Sequence, residues 1–276
     1  MRHGPKPSPP ADPAGPPGAI VARRAADEWR LPALLDALAR LAGLKADSVL
    51  RGRIARLPPA VLAAADPRQV RLDHPGWAGV LDGVTVQETR LFRHPAQMLA
   101  IGAWLETAGP APLLLSAGCA SGEEAWSLAA LLLQRGAREG RVLGIDLCRP
   151  ALALAEAAAY GPAPPDPLRD VPDTWQPMFL AEAGLVRPLA ALREMVAFRR
   201  ASLLDLPLDT APLDLALCRN VLIYLTAPAR VRVVTGLVGR LRPGGLLGLG
   251  TTDSLPPGLP LRPWGPPGMA LWEKRA

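Results

Sequence analysis

The run Leu113-Leu114-Leu115-Ser116-Ala117-Gly118-Cys119-Ala120-Ser121-Gly122-Glu123-Glu124 begins as a strand and ends as a helix. Its apolar start is short, as a buried strand of a parallel sheet would be, and the small residues after it form a turn. The helical stretch 123–134 follows directly. A glycine-rich turn between strand and helix lets a ligand approach the backbone, and the helix start offers free N–H groups at the carboxyl edge of the sheet. The pattern is not G-x-G-x-x-G, so the dinucleotide fingerprint is not met. An acid such as Glu123 or Glu124 in the first turn suits a cationic ammonium better than a pyrophosphate.

Downstream the alternation continues. Residues 142–145 read as a second strand ending in Asp146, which lies 24 residues after Gly122 and is placed to accept hydrogen bonds from ribose hydroxyls. An alanine-rich helix is expected over 150–159, strands at 196–198 and 213–218, a helix over 228–241, and strands at 246–249 and 269–272. Pro243-Gly244-Gly245 reads as a tight turn before the fifth strand. Alternating strands and helices predict an open, mostly parallel α/β sheet. A Pro-rich and charged stretch, 161–188, interrupts it.

Upstream, residues 1–19 hold almost no large apolar side chains and are expected to be a disordered tail. From Trp29 the leucines 31, 34, 35, 38 and 41 fall at helical spacing, with Pro32 in a first turn and Gly43 as a stop. A second helix over 47–57 carries Arg51, Arg53 and Arg56. Together they predict a small helical domain over 20–85. Residues 86–112 form a linker holding Gln87, Thr89, Arg90 and Arg93, and residues 113–276 form the sheet domain.

The 276 residues, 49% of them hydrophobic, suffice for one large domain and one small one. No apolar run of membrane-spanning length and no signal-peptide pattern occurs, so a cytoplasmic protein without direct membrane insertion is expected. The net charge of +6 is carried by dispersed arginines, and 4% aromatics supply no base-stacking platform, so nucleic acid is not expected. An acidic protein partner fits the same charge. Cys119, Cys148, Cys218 and the histidines show no ligand spacing, so no metal is expected. The three cysteines fall at or beyond strand ends and are expected to border one crevice.

Five segments together, TRLFR (89–93), SAGCASGEEAWS (116–127), GID (144–146), CRNVLIY (218–224) and LRPGGLLGLG (241–250), resemble the chemotaxis-receptor glutamate O-methyltransferases, the CheR-type family. The likeness runs in order from about residue 31 to the C-terminus. It implies a Rossmann-like S-adenosylmethionine-dependent methyltransferase sheet with a small N-terminal all-helical domain and the cofactor between them. Carried over residue by residue, Gln87, Thr89 and Arg93 would come from the linker, and Gly118 and Glu124 from the turn and helix. Asp146 would meet the ribose, Ser202 and Leu203 the adenine, with Arg219 and Asn220 after the fourth strand. Arg93 and Tyr224 would be the catalytic pair, Tyr224 near the transferring methyl.

The resemblance further implies that an insertion at about 161–195 is a small β-subdomain for docking on receptors. Arg51, Arg53 and Arg56 would face the acidic helical region of a receptor-type signalling protein; no oligomeric state is implied. The chain departs from the family pattern at Gln87 and Ser202, where asparagine is usual, at Leu91, at Cys148 and over 251–253. Two other readings remain at this point: an S-adenosylmethionine-binding sensor or scaffold, and a methyltransferase of the same fold with another acceptor.

Overall fold

A computed structural model describes residues 17–161, 166–206 and 212–276. The expected tail thus lies outside the described residues, except that Pro17 to Ala19 begin helix α1 (Pro17–Ala42). Pro32 therefore sits well inside this helix rather than in its first turn. It has no amide to offer the carbonyl four residues back, a loss of ~3 kcal/mol in an ordinary helix interior, offset here by the packing of Leu35 and Leu38 on its C-terminal half. Gly43 ends it with φ +69°, the left-handed conformation glycine adopts most readily.

Helix α2 (Ser48–Ile54) is shorter than expected and starts where the Asp47 carboxylate accepts the Leu50 amide at 2.9 Å. α3 (Pro59–Ala64) and α4 (Pro75–Val84) complete a helical unit whose core holds Leu35, Leu38, Leu50, Ile54, Trp77 and Leu81. The linker stretch contains a helix that the sequence reading omitted, α5 (Pro95–Leu105). Its Met98, Ile101 and Trp104 are buried with Leu128 and Leu132 of α6 (Glu123–Gln134).

The sheet is built from β1 (Leu113–Ala117), β2 (Arg141–Asp146), β5 (Val196–Arg200), β6 (Leu213–Cys218), β7 (Leu241–Leu249), β8 (Leu261–Pro263) and β9 (Leu271–Lys274). Its order is β5-β2-β1-β6-β7-β9-β8. The first five strands run parallel, and β9 and β8 are antiparallel additions at one edge. Helices α7 (Arg149–Ala157), α8 (Ala190–Arg193) and α9 (Ala227–Arg240) complete the architecture. Successive strand side chains point to opposite faces, so Leu114 joins the α5–α6 core while Leu115 joins Val233, Val234 and Leu237 of α9.

Pro243-Gly244-Gly245 is not a turn before β7 but lies within it. A Cβ on Gly245 would come within 2.9 Å of Arg242 O and 3.1 Å of Asp214 O, and the β6–β7 register shifts between Leu213 and Leu215. The glycine pair marks a bulge. The insertion forms an antiparallel hairpin of β3 (Phe179–Glu182) and β4 (Leu185–Pro188), and Tyr160 bridges to Val186. Among the described residues, no helix is long and apolar enough to cross a membrane.

Candidate functional site

The β1–α6 turn is fixed by two left-handed glycines. A Cβ on Gly118 (φ +80°) would lie 2.4 Å from Val221 Cγ2, and one on Gly122 (φ +92°) would lie 2.7 Å from Ala155 Cβ. The turn is also hung from the end of β2. Ile145 O accepts the Gly118 and Cys119 amides at 2.7 and 3.0 Å. The Asp146 carboxylate accepts the Ala120 amide on one oxygen and the Cys148 amide on the other, each at 2.9 Å. Burial raises the Asp146 pKa above the usual carboxylate value, while these amides and the Gln87 side chain act in the opposite direction.

At the end of β6 the Arg219 side chain is 1% exposed, and its Nε lies 3.5 Å from Glu124 Oε2. Ser116 Oγ donates to the other Glu124 oxygen at 2.7 Å. Arg219 also donates to the Arg93 carbonyl and lies 3.2 Å from Met98 Sδ. Burial pushes the Arg219 pKa down and Glu124 opposes this. A guanidinium stays charged in such a place, so removing Glu124 would leave an uncompensated buried cation. Asn220 follows with φ +58°, and its buried Oδ1 has no hydrogen-bond partner among the described residues.

The helical unit closes the other side. Leu44 pairs with Leu225 in an antiparallel bridge, with Lys45 N donating to Tyr224 O at 2.9 Å and Thr226 N to Gly43 O at 2.8 Å. Arg53 donates to Thr85 O at 3.0 Å. Between the two units lies a cleft with about 900 Å³ of empty space, counted out to open solvent. Leu44, Val49 and Leu50 line one side, and Gly118, Asp146 and Asn220 the other. Burial raises the Tyr224 hydroxyl pKa; Glu88 adds to this, whereas Arg53 and Arg93 oppose it.

Gln87, Gly118, Asp146, Leu203, Arg219, Asn220 and Tyr224 all line this cleft. Four expected residues do not. Thr89 faces a second cavity beside Arg90, Glu123 and Tyr160. Glu124 stands behind the wall, holding Arg219. Arg93 donates to the carbonyl of Glu88 at 2.8 Å and pairs with its carboxylate at 3.5 Å. Ser202 donates to Leu41 O at 2.9 Å, tying β5's exit to α1.

The cysteines do not border the cleft as expected. All three are buried; their chain neighbours Gly118, Leu147 and Arg219 face it instead, and Cys148 Sγ is turned to Asp82 O. The apolar wall from Leu44, Val49 and Leu50 was not read from sequence, since nothing local distinguishes a leucine facing a cleft from one facing a core. Among the described residues no cluster of His, Cys, Asp and Glu is suited to a metal.

A mostly parallel sheet in this order, with a glycine turn after β1 and an acid ending β2, is a Rossmann-like arrangement. The family model for "CheR methyltransferase, SAM binding domain" matches residues 87–261, and the chain belongs to that family. Its cofactor is S-adenosylmethionine. The chain is 31% identical over 198 residues to a probable biofilm formation methyltransferase WspC of Pseudomonas putida, covering 67% of this chain and 46% of that protein. It is 31% identical over 199 residues to chemotaxis protein methyltransferase 1 of Pseudomonas aeruginosa, covering 64% of this chain and 69% of that one. The chain thus spans less than half the length of the first relative. A solved structure of SAM-bound CalS10, an amino pentose methyltransferase from Micromonospora echinaspora, is similar with a TM-score of 0.35 and 19% identity, over 56% of this chain and 49% of that one.

The residues present fit this cofactor. Asp146 is an acceptor at the end of β2, the cradle at Gly118 has no room for a Cβ, and Asn220 Oδ1 is an orphaned acceptor in a buried position.

Proposed function

We propose that the chain methylates glutamate carboxylates on a receptor-type signalling protein, yielding S-adenosylhomocysteine. The observation that carries this reading is the cleft itself, where Gly118, Asp146 and Asn220 at the carboxyl edge of the sheet face Tyr224 and the apolar wall of the helical unit. The name of the Pseudomonas aeruginosa relative, a chemotaxis protein methyltransferase, points the same way. Bound S-adenosylmethionine supplies an electrophilic methyl group on a sulfonium sulfur.

In this reading Asp146 accepts the ribose hydroxyls and Leu203 packs on the adenine. Gln87, Gly118, Arg219 and Asn220 hold the rest of the cofactor, and Thr89, Glu124 and Ser202 support it from outside the cleft. Ser202 and Glu124 act from behind, Ser202 through α1 and Glu124 through Arg219. A glutamate carboxylate is already ionised at neutral pH, so no residue here has to remove a proton. Tyr224, which lines the cleft, and Arg93, once its guanidinium leaves Glu88, instead orient it in line with the methyl group, and the apolar wall excludes water; orientation of this kind is worth as much as ~7–11 kcal/mol. The helical unit (20–85), the linker (86–112) and the sheet domain (113–276) with its insertion (161–195) divide the work. The exposed Arg51 and Arg56 meet an acidic helical region of the partner, and the insertion hairpin docks on it.

Arg93→Ala tests the assignment of the acceptor site. Initial rates with methyl-labelled cofactor should show a kcat reduced at least tenfold at saturating acceptor. An undiminished kcat removes Arg93 from the reaction.

A further inference from the structure

Two loops leave the carboxyl edge of the sheet side by side, because Cys218 of β6 pairs with Leu249 of β7. One begins Arg219-Asn220; the other runs Gly250-Thr251-Thr252-Asp253. The second loop turns back on itself, Asp253 N donating to Gly250 O at 2.9 Å, which brings the half-buried Asp253 carboxylate over the strand ends. There Asp253 Oδ2 accepts the Gly250 amide at 3.0 Å, and the nearby Asn220 amide favours the charge of the carboxylate. One side chain thus sits where the two loops meet.

The approach is close enough to dictate the residue at 250. A Cβ on Gly250 would lie 2.7 Å from Asp253 Oδ2 and 3.0 Å from Asn220 N. Asn220 is left-handed, a conformation asparagine adopts more readily than other non-glycine residues. Its Oδ1 is buried without a partner and the residue lines the cleft, whereas Asp253 does not line it.

We propose that Asp253 is a positioning residue for the cofactor site: by tying down Gly250 where the β6 and β7 ends meet and facing the Asn220 amide with its charge, it fixes the backbone from which the Asn220 side chain reaches the ligand. The proposal rests on the reading that Asn220 touches the cofactor. Burial without such a purpose is costly for a carboxylate, and its pKa is pushed above the usual value by desolvation even though both amides and Arg230 favour its charge. Asp253→Asn keeps an acceptor oxygen but removes the charge that faces the Asn220 amide.

Calorimetric titration with S-adenosylhomocysteine provides the test, with Asp253→Asn, Gly250→Ala, Asn220→Ala and the Asp253→Asn/Asn220→Ala pair, each checked for folding by circular dichroism. Asp253→Asn is expected to raise Kd roughly tenfold, ~1.4 kcal/mol, and Gly250→Ala to do the same if it folds. In the Asn220→Ala background the further effect of Asp253→Asn should be under about twofold, because residues acting through one contact are not additive. Fully additive losses, or an unchanged Kd for a folded Asp253→Asn, overturn the proposal while leaving Asn220 in the site. An unchanged Kd for Asn220→Ala overturns both this proposal and the assignment of Asn220.

Discussion

Asp146 accepts one backbone amide on each oxygen, and a carboxylate has about four lone-pair positions, so acceptor capacity remains for two ribose hydroxyls. Asp146→Ala removes these bonds and also frees the Ala120 turn. S-adenosylhomocysteine binding should weaken by roughly 1.5–3 kcal/mol, the range for hydrogen bonds to a charged group; a titration showing the same Kd in the folded variant would remove Asp146 from the site. Its position was legible from sequence because an acid ending the second strand is a local signal. The position of Asp253 was not: the Asn220 amide it faces lies on a neighbouring strand's exit, and pairing of strands remote in sequence leaves no local trace. The same holds for Ser202, whose hydroxyl meets a carbonyl 161 residues away.

Among the elements, α6 carries a test of charge burial. Glu123, in its first turn, accepts the Ser121 hydroxyl at 2.7 Å, and burial raises its pKa from the ordinary 4.5. A carboxyl group with a raised folded pKa binds its proton more tightly in the folded state. Its contribution to stability is therefore full below the unfolded value and is lost as pH rises through the folded one. Glu123→Gln removes that loss. In thermal melts the variant should gain on wild type between pH 4 and pH 7, and a difference independent of pH would contradict the burial. Ser202→Ala should lower stability by about 0.5–1.5 kcal/mol by breaking the tie to α1, read as a fall in the thermal midpoint.

The strands β1, β2, β5 and β6 and the helices α6 and α9 were legible because an apolar run or an amphipathic stripe shows its period in a short window. Helix α5 was not, since Pro95–Leu105 is apolar on nearly every side, and α4 carries glycines that weaken the helical signal. Gly244-Gly245 was read as a turn because the same residues serve turns and bulges, and only the register with β6 separates the two.

For the molecule as a whole, the cleft exists because the α1–α2 connection is bonded to the segment after β6, while Arg149 of α7 pairs with Asp82 of α4 at 2.6 Å. The basic face of the helical unit is narrower than sequence spacing implies, since Arg53 is engaged with Thr85 O. Arg51 and Arg56 remain exposed. Arg51→Glu with Arg56→Glu should lower the rate of methylation of an acidic partner several-fold and leave S-adenosylhomocysteine affinity unchanged. The wild-type rate should fall with added salt, as expected for charges screened over about 8 to 10 Å, and a salt-independent rate would deny the electrostatic docking.

The reaction is tested most directly at the bond that forms. With methyl-labelled S-adenosylmethionine and an acidic helical fragment of a receptor-type protein, label should enter the fragment and be released by mild alkali as volatile methanol, the behaviour of a carboxyl ester. Label that stays on the protein through alkali, as an amine or thioether would, or no transfer to any receptor fragment by protein that binds the cofactor, would contradict it.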